Sequence, residues 1–174
     1  MGLHCCAMSA RQQQLPLSDE ARSEPEDPMK VADILRLKGS TVHTVHSWTP
    51  VVEAVQRMAG PPPIGALVVC DDGRGHVGGL ITERDLIRGL RTIGAAMCEK
   101  TVAEFMTRHI PVCTPEDTLT HLMRQMTRSR YRHLPVVQAG VLCGLVSIGD
   151  VVRHRLEEVQ LEADVLRDMY LAHQ

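Results

Sequence analysis

The chain has 174 residues, a formal net charge of −2 and an apolar share of 44%, which is ordinary for a globular protein long enough to bury a core. So small a charge supplies no field to gather nucleic acid or acidic lipid, and no apolar run is long enough to span a bilayer, so neither nucleic acid nor membrane is an expected partner. Aromatic residues are reduced to Trp48, Phe105, Tyr131 and Tyr170, which predicts an aliphatic, Met-rich core.

In chain order, residues 1–28 come first. They carry no charged start followed by an apolar run, and the Asp/Glu/Ser/Pro-rich stretch from Ser18 to Pro28 buries too little apolar surface to offset its ordering entropy, so a disordered N-terminal tail is expected. Met29 is an alternative start. Met1-Gly2 lacks the hydroxyl residue of an acylation signal because Cys6 stands in its place, although Cys5 and Cys6 leave room for a palmitate. The six cysteines are scattered without a CxxC pair and read as reduced thiols of a cytoplasmic protein.

From Val31 the sequence runs twice through one plan. VADIL (Val31 to Leu35) and VAEFM (Val102 to Met106) each predict a short amphipathic helix, followed by short strands at Thr44 to His46 and Pro111 to Cys113. Helices come next, with Val51, Ala54, Val55 and Met58 matching Leu119, Leu122, Met123 and Met126 at helical spacing. The buried strands Ala66 to Val69 and Leu134 to Val137 are offset by 68 residues. Second strands follow at Val77 to Ile81 and Val141 to Val146, where the offset falls to 65, a loss assigned to the hairpin loop. Each copy closes on one motif, GLITERD at Gly79 to Asp85 and GLVSIGD at Gly144 to Asp150, joining a strand to a hydroxyl residue and, three residues on, to an aspartate in a helix's first turn. Units so short are insecure alone, so the two should pack face to face.

These motifs, with HLPVV at His133 to Val137 and Met106-Thr107, resemble a tandem pair of cystathionine β-synthase-type (CBS) domains over about residues 29–155. The first copy departs from the pattern at IGALVV, where Leu67 stands in for the expected proline, and in Pro61-Pro62-Pro63. The resemblance implies an α+β fold: two β-α-β-β-α units forming an internal pseudo-dimer, with an extended C-terminal helix. The expected division is a tail at 1–28, a first unit at 29–95, a second at 96–155 and a helical extension at 156–174.

A helix N-terminus attracts phosphate through free N–H groups and the helix dipole, and a carboxylate can accept two hydrogen bonds from a vicinal diol. The resemblance therefore implies that Thr82 and Ser147 contact phosphate and Asp85 and Asp150 hold ribose hydroxyls. Adenine would lie between Val45 or Val112 and the buried strand that carries Pro135. The alternative is that [ST]-x-x-D is a helix capping box and nothing more. Arg84 and Arg88 follow the first hydroxyl residue, and Arg128, Arg130, Arg132 and His133 precede the second buried strand. They are candidates to neutralise phosphate, or else a solvated basic face. Because HLPVV and this cluster belong to the second copy, Asp150 is expected to matter more than Asp85.

Three motifs are set aside. Gly73 to Gly78 spells GxGxxG but links two strands, where a dinucleotide fold needs a strand and a helix. His43 and His46 on a strand point to opposite faces, so no metal site is expected. Cys113, Cys143 and His133 lack a readable acid and oxyanion arrangement, so no catalytic residue is assigned.

The last helix carries Val152, Leu156, Val159, Ala163, Leu166 and Tyr170 at alternating spacings of four and three, a heptad seam that could pair two subunits or fold back on its own domain. The resulting expectation is a non-catalytic regulatory module, with no required cofactor, that binds AMP, ADP, ATP, NAD or S-adenosylmethionine, forms a homodimer and signals to an effector protein outside this chain. An interaction scaffold whose motifs are only caps is the second reading, and a small enzyme the third.

Overall fold

The computed structural model describes residues 29–172, so the expected tail and its cysteines lie outside the described residues. The first unit contains α1 (Val31–Lys38), β1 (Thr44–Val45), α2 (Val51–Ala59), β2 (Ala66–Val69), β3 (Gly79–Thr82) and α3 (Glu83–Ile93). The second contains α4 (Leu119–Ser129), β4 (His133–Gln138), β5 (Val141–Ser147) and α5 (Ile148–Ala172). β1 pairs parallel with β2, which pairs antiparallel with β3; β4 and β5 form an antiparallel hairpin. The mixed helix and strand architecture implied by the resemblance is the one observed, including the long last helix.

Two short segments differ from expectation. VAEFM forms a single 3₁₀ turn, Val102–Glu104, because Thr107 is drawn into an antiparallel bridge with Leu80 and pulls the chain out of helix. The strand expected at Pro111 to Cys113 contracts to one parallel bridge, Cys113 with Val136. Pro111 has no N–H to donate to a longer ladder.

The ladders also correct the alignment of the copies. Ala66 faces Thr82 and His133 faces Ser147, so the offset on the buried strand is 67 rather than 68. The first helical N–H groups agree, since Glu83 donates to the Gly65 carbonyl at 3.3 Å and Ile148 to the Arg132 carbonyl at 2.8 Å. Val68, not Leu67, therefore stands where Pro135 stands in the second unit.

The two opening segments are exchanged. Val31 and Ile34 of α1, both fully buried, join Leu122, Leu134, Val136 and Val146 of the second unit, whereas Val102 joins Val45, Leu67, Val69 and Ile81 of the first. Burial of a large aliphatic side chain contributes roughly 1.5–3 kcal/mol, so each exchange anchors one unit on the other by several kcal/mol.

The motif glycines make these approaches possible. A Cβ on Gly144 would lie 2.6 Å from the Leu35 side chain of α1. On its counterpart Gly79 it would lie 2.7 Å from the Thr107 carbonyl oxygen and 3.4 Å from Met106 Sδ. Leu35 can shift, but the Thr107 carbonyl accepts the Leu80 N–H at 2.9 Å and is fixed. Gly79→Ala should therefore cost roughly 2–3 kcal/mol and Gly144→Ala about 1 kcal/mol, read from urea unfolding midpoints; an equal or reversed order would contradict the contact.

Candidate functional site

Both helix starts are capped in the same way. The buried strand residues Leu80 and Ile81 hold β3 in the core, so Thr82 at its end turns the chain into α3 with an extended N-cap conformation. Asp85 Oδ2 accepts hydrogen bonds from the Thr82 N–H at 3.0 Å and from its hydroxyl at 2.6 Å, and the Asp85 N–H donates to Thr82 Oγ1 at 3.4 Å. In the second copy Asp150 Oδ2 accepts from the Ser147 N–H and hydroxyl, both at 2.8 Å, and the Asp150 N–H donates to Ser147 Oγ at 3.2 Å. The capping box is thus real in both copies. It engages only one oxygen of each carboxylate.

The surroundings of the two carboxylates differ. Asp85 is 8% exposed, and its second oxygen lies 3.6 Å from Arg88 Nη1. Beside it opens a cavity of about 380 Å³. Thr82, Glu83, Arg84, Asp85 and Arg88 of the first unit form one wall; Arg130, Tyr131, Arg132 and His133 of the second form the other. The second wall arises because α4 ends at Arg130 in a left-handed conformation (φ 59°, ψ 19°), which turns the chain across the first unit before β4 begins. Four guanidiniums face two carboxylates in this cavity, so its field favours an anion.

At the second helix start, Lys38 Nζ lies 2.6 Å from Asp150 Oδ2. Lys38 closes α1, and the exchange of α1 carries it there. Burial pushes the Asp150 carboxyl up, but hydrogen bonds from Lys38 and Ser147 and the lysine charge outweigh it, holding the group below the usual carboxylate range. His133 lies between the two helix starts. Burial first, then the charges of Arg132 and Lys38, lower its pKa against the opposing pull of Asp150 and Glu83, so it is neutral at pH 7.

Of the residues singled out from sequence, the cavity brings together Thr82, Arg84, Asp85, Arg88, Arg130, Arg132 and His133, whereas Arg128 does not line it. Ser147 and Asp150 belong to the other helix start. Val45 is 3% exposed and closed inside the first core, because pairing with β2 turns its side chain inward, so it is not free to line a base site. Pro135 is buried within β4, and Val112 is 40% exposed beside a separate depression near Gly79 and Arg108. The arginine cluster expected to serve Asp150 lies across from Asp85 instead. Lys38 and Thr107, the latter noted only as part of a motif, were not anticipated as site residues, since both reach their places only through the exchanged segments.

His46 hydrogen-bonds the Cys70 carbonyl through Nδ1 at 2.8 Å and stacks on Trp48 with ring centroids 4.4 Å apart. The GxGxxG segment connects β2 to β3, in line with its reading as a turn. Among the described residues, no helix is long and apolar enough to cross a membrane.

The sequence pattern of the CBS domain matches residues 31–92 and 102–157. "CBS domain-containing protein CBSX3, mitochondrial" of Arabidopsis thaliana is 34% identical over 145 residues, covering 76% of this chain and 70% of the relative. The CBS-domain containing protein ATU1752 of Agrobacterium tumefaciens superposes with a TM-score of 0.69 at 40% identity, over 72% of this chain and 92% of that one. The CBS domain pair of protein MJ0100, solved in complex with 5′-methylthioadenosine and S-adenosyl-L-methionine, has a TM-score of 0.67 at 25% identity, over 76% and 99%.

The lowered pKa of Asp150 adds stability that is present above the unfolded carboxyl value of about 3.9 and lost as pH falls through the lower folded value. Lys38→Met removes the ammonium and leaves burial opposed by Ser147 alone. The Asp150 carboxyl should then titrate at higher pH than in the parent protein, as followed by carboxyl-carbon NMR; an unchanged midpoint would show that Lys38 does not hold it.

Proposed function

Because the chain belongs to the CBS-domain family and is a CBS pair, a regulatory module, we propose that it is a non-catalytic sensor that binds an adenine nucleotide in the cavity between its two units. The observation that carries this reading is the meeting of the Thr82–Asp85 helix start with Arg130, Arg132 and His133 across one cavity. Phosphate is suited to the helix start and the guanidiniums, and the ribose diol to the Asp85 oxygen that the cap leaves over. The adenosyl compounds bound by the MJ0100 pair support the class of ligand.

The guanidiniums favour phosphate-bearing ligands such as AMP, ADP, ATP or NAD over the sulfonium cation of S-adenosylmethionine. Binding would stiffen the contact between the units, and the resulting shape would be read by an effector protein outside this chain. We further place the module in the cytoplasm as a homodimer, a setting that the free thiols Cys70, Cys98, Cys113 and Cys143 suit.

Calorimetric titration of the purified protein with AMP, ADP, ATP, NAD and S-adenosylmethionine tests the proposal. A phosphate-bearing ligand should bind, Asp85→Ala and Arg132→Ala should each weaken it at least about tenfold, and Asp150→Ala should weaken it less. The order reverses the one that HLPVV alone suggests, because the cavity faces Asp85. Absence of heat with every ligand would sink the sensor reading in favour of an interaction scaffold, and turnover of a ligand would point to an enzyme.

A further inference from the structure

The helix α5 continues to Ala172, beyond residue 157 where the CBS pattern ends. At about 1.5 Å per residue its 25 residues span roughly 37 Å. Only Val151 and His154 of this helix are buried. The structure thus decides against the helix folding back on its own domain, and the heptad row stands open, with Leu156, Leu166 and Tyr170 66–68% exposed. A row of large apolar side chains at a 3.5-residue period fits the same row on another helix.

The residues beside the row indicate which helix. With Leu156, Ala163 and Tyr170 at a positions and Val152, Val159 and Leu166 at d, the flanking e positions are Arg153, Gln160 and Arg167, and the g positions Arg155, Glu162 and Met169. In a parallel pair, g of one helix meets the e five residues further along the other, which sets Glu162 against Arg167 and Arg155 against neutral Gln160. An antiparallel pair would set e against e, bringing Arg153 towards Arg167. Within the chain, Arg167 makes a 3.4 Å contact with Asp164 and remains 69% exposed, free to turn to a second helix.

We propose that α5 forms a parallel, in-register, two-stranded coiled coil with the α5 of a second copy of this chain, in which Glu162 of each helix pairs with Arg167 of the other. The proposal rests on the homodimer reading above. Fewer than three heptads are marginal alone, so the coil depends on the bodies of the two copies being held together, which raises the local concentration of the helices.

The test uses the full chain, with molar mass from light scattering and the dissociation constant from sedimentation. The parent protein should be a dimer, and Leu166→Glu should raise its dissociation constant at least about tenfold while leaving nucleotide titration unchanged, which separates loss of pairing from misfolding. Glu162→Arg should weaken pairing roughly two- to fivefold, and adding Arg167→Glu should restore it. Under oxidation, Tyr170→Cys should give a covalent dimer above the parent's background and Leu171→Cys should not; failure of Tyr170→Cys to cross-link would overturn the parallel arrangement. A dimer indifferent to Leu166→Glu would overturn the coil and leave the homodimer standing. A monomeric parent would overturn both, and a mass above two chains would overturn the two-stranded form.

Discussion

The exchange of opening segments is the contact on which the rest of the molecule depends. Units of some 60 residues bury too little surface to be secure alone, and here neither closes its core without the other: α1 fills the second unit, and the turn at Val102–Glu104 fills the first. The requirement for glycine at Gly79 and Gly144 follows, because each is the surface on which the other unit's opening segment lands. So does the position of the cavity, whose walls come from different units and are held in register by the bridge between Leu80 and Thr107.

The capping and ligand readings of the hydroxyl–aspartate motif share the hydroxyl, whose one proton the cap directs to Oδ2, but the cap leaves the second carboxylate oxygen over. The cap consumes Oδ2 of Asp85 and of Asp150. A buried carboxylate with one oxygen satisfied and the other beside a cavity is costly to desolvate unless cations lie near. Asp85 is such a group, with Arg88 beside its second oxygen; half-buried Asp150 instead has Lys38 on the capped oxygen itself, and the two cations differ in reach. Arg88 is 61% exposed and free to reorient, whereas Lys38 is tied to α1, whose apolar face is locked into a core.

Much of the fold was legible from periodicity and repetition. The strands around Leu67 and Val136, the helices carrying Ala54 and Leu122, and the hairpin reading of GxGxxG all follow from residue type and spacing. The copy-to-copy offset did not, because Leu67 and Val68 are both buried aliphatics and only the hydrogen-bond ladder tells which stands opposite the proline. The site was legible in its parts and not in its assembly. Thr82, Asp85 and the arginines were recognisable as chemistry, but that Arg132 shares a cavity with Asp85, and that Lys38 reaches Asp150, depends on an exchange between units that leaves no local signal in the sequence.

Correcting that offset exposes how the copies diverged. Arg132 and His133 occupy the positions that Gly65 and Ala66 occupy in the first unit. At the Asp85 helix start the facing wall is supplied from across the interface by these large second-unit residues, its charge coming from Arg132 and not from neutral His133, and small Gly65 leaves them space, with the His133 ring 3.4 Å from where a Cβ would stand. At the Asp150 helix start the first unit has only Gly65 and Ala66 to offer at the equivalent positions, and the cation arrives instead on Lys38. The duplicated motif has therefore kept its cap twice while its surroundings took complementary forms: an open cavity walled by arginine on one side, and a carboxylate already paired within the protein on the other. Among the described residues, guanidiniums wall a cavity at the first helix start while the carboxylate at the second is held by Lys38, so two nearly identical helix starts have unlike surroundings.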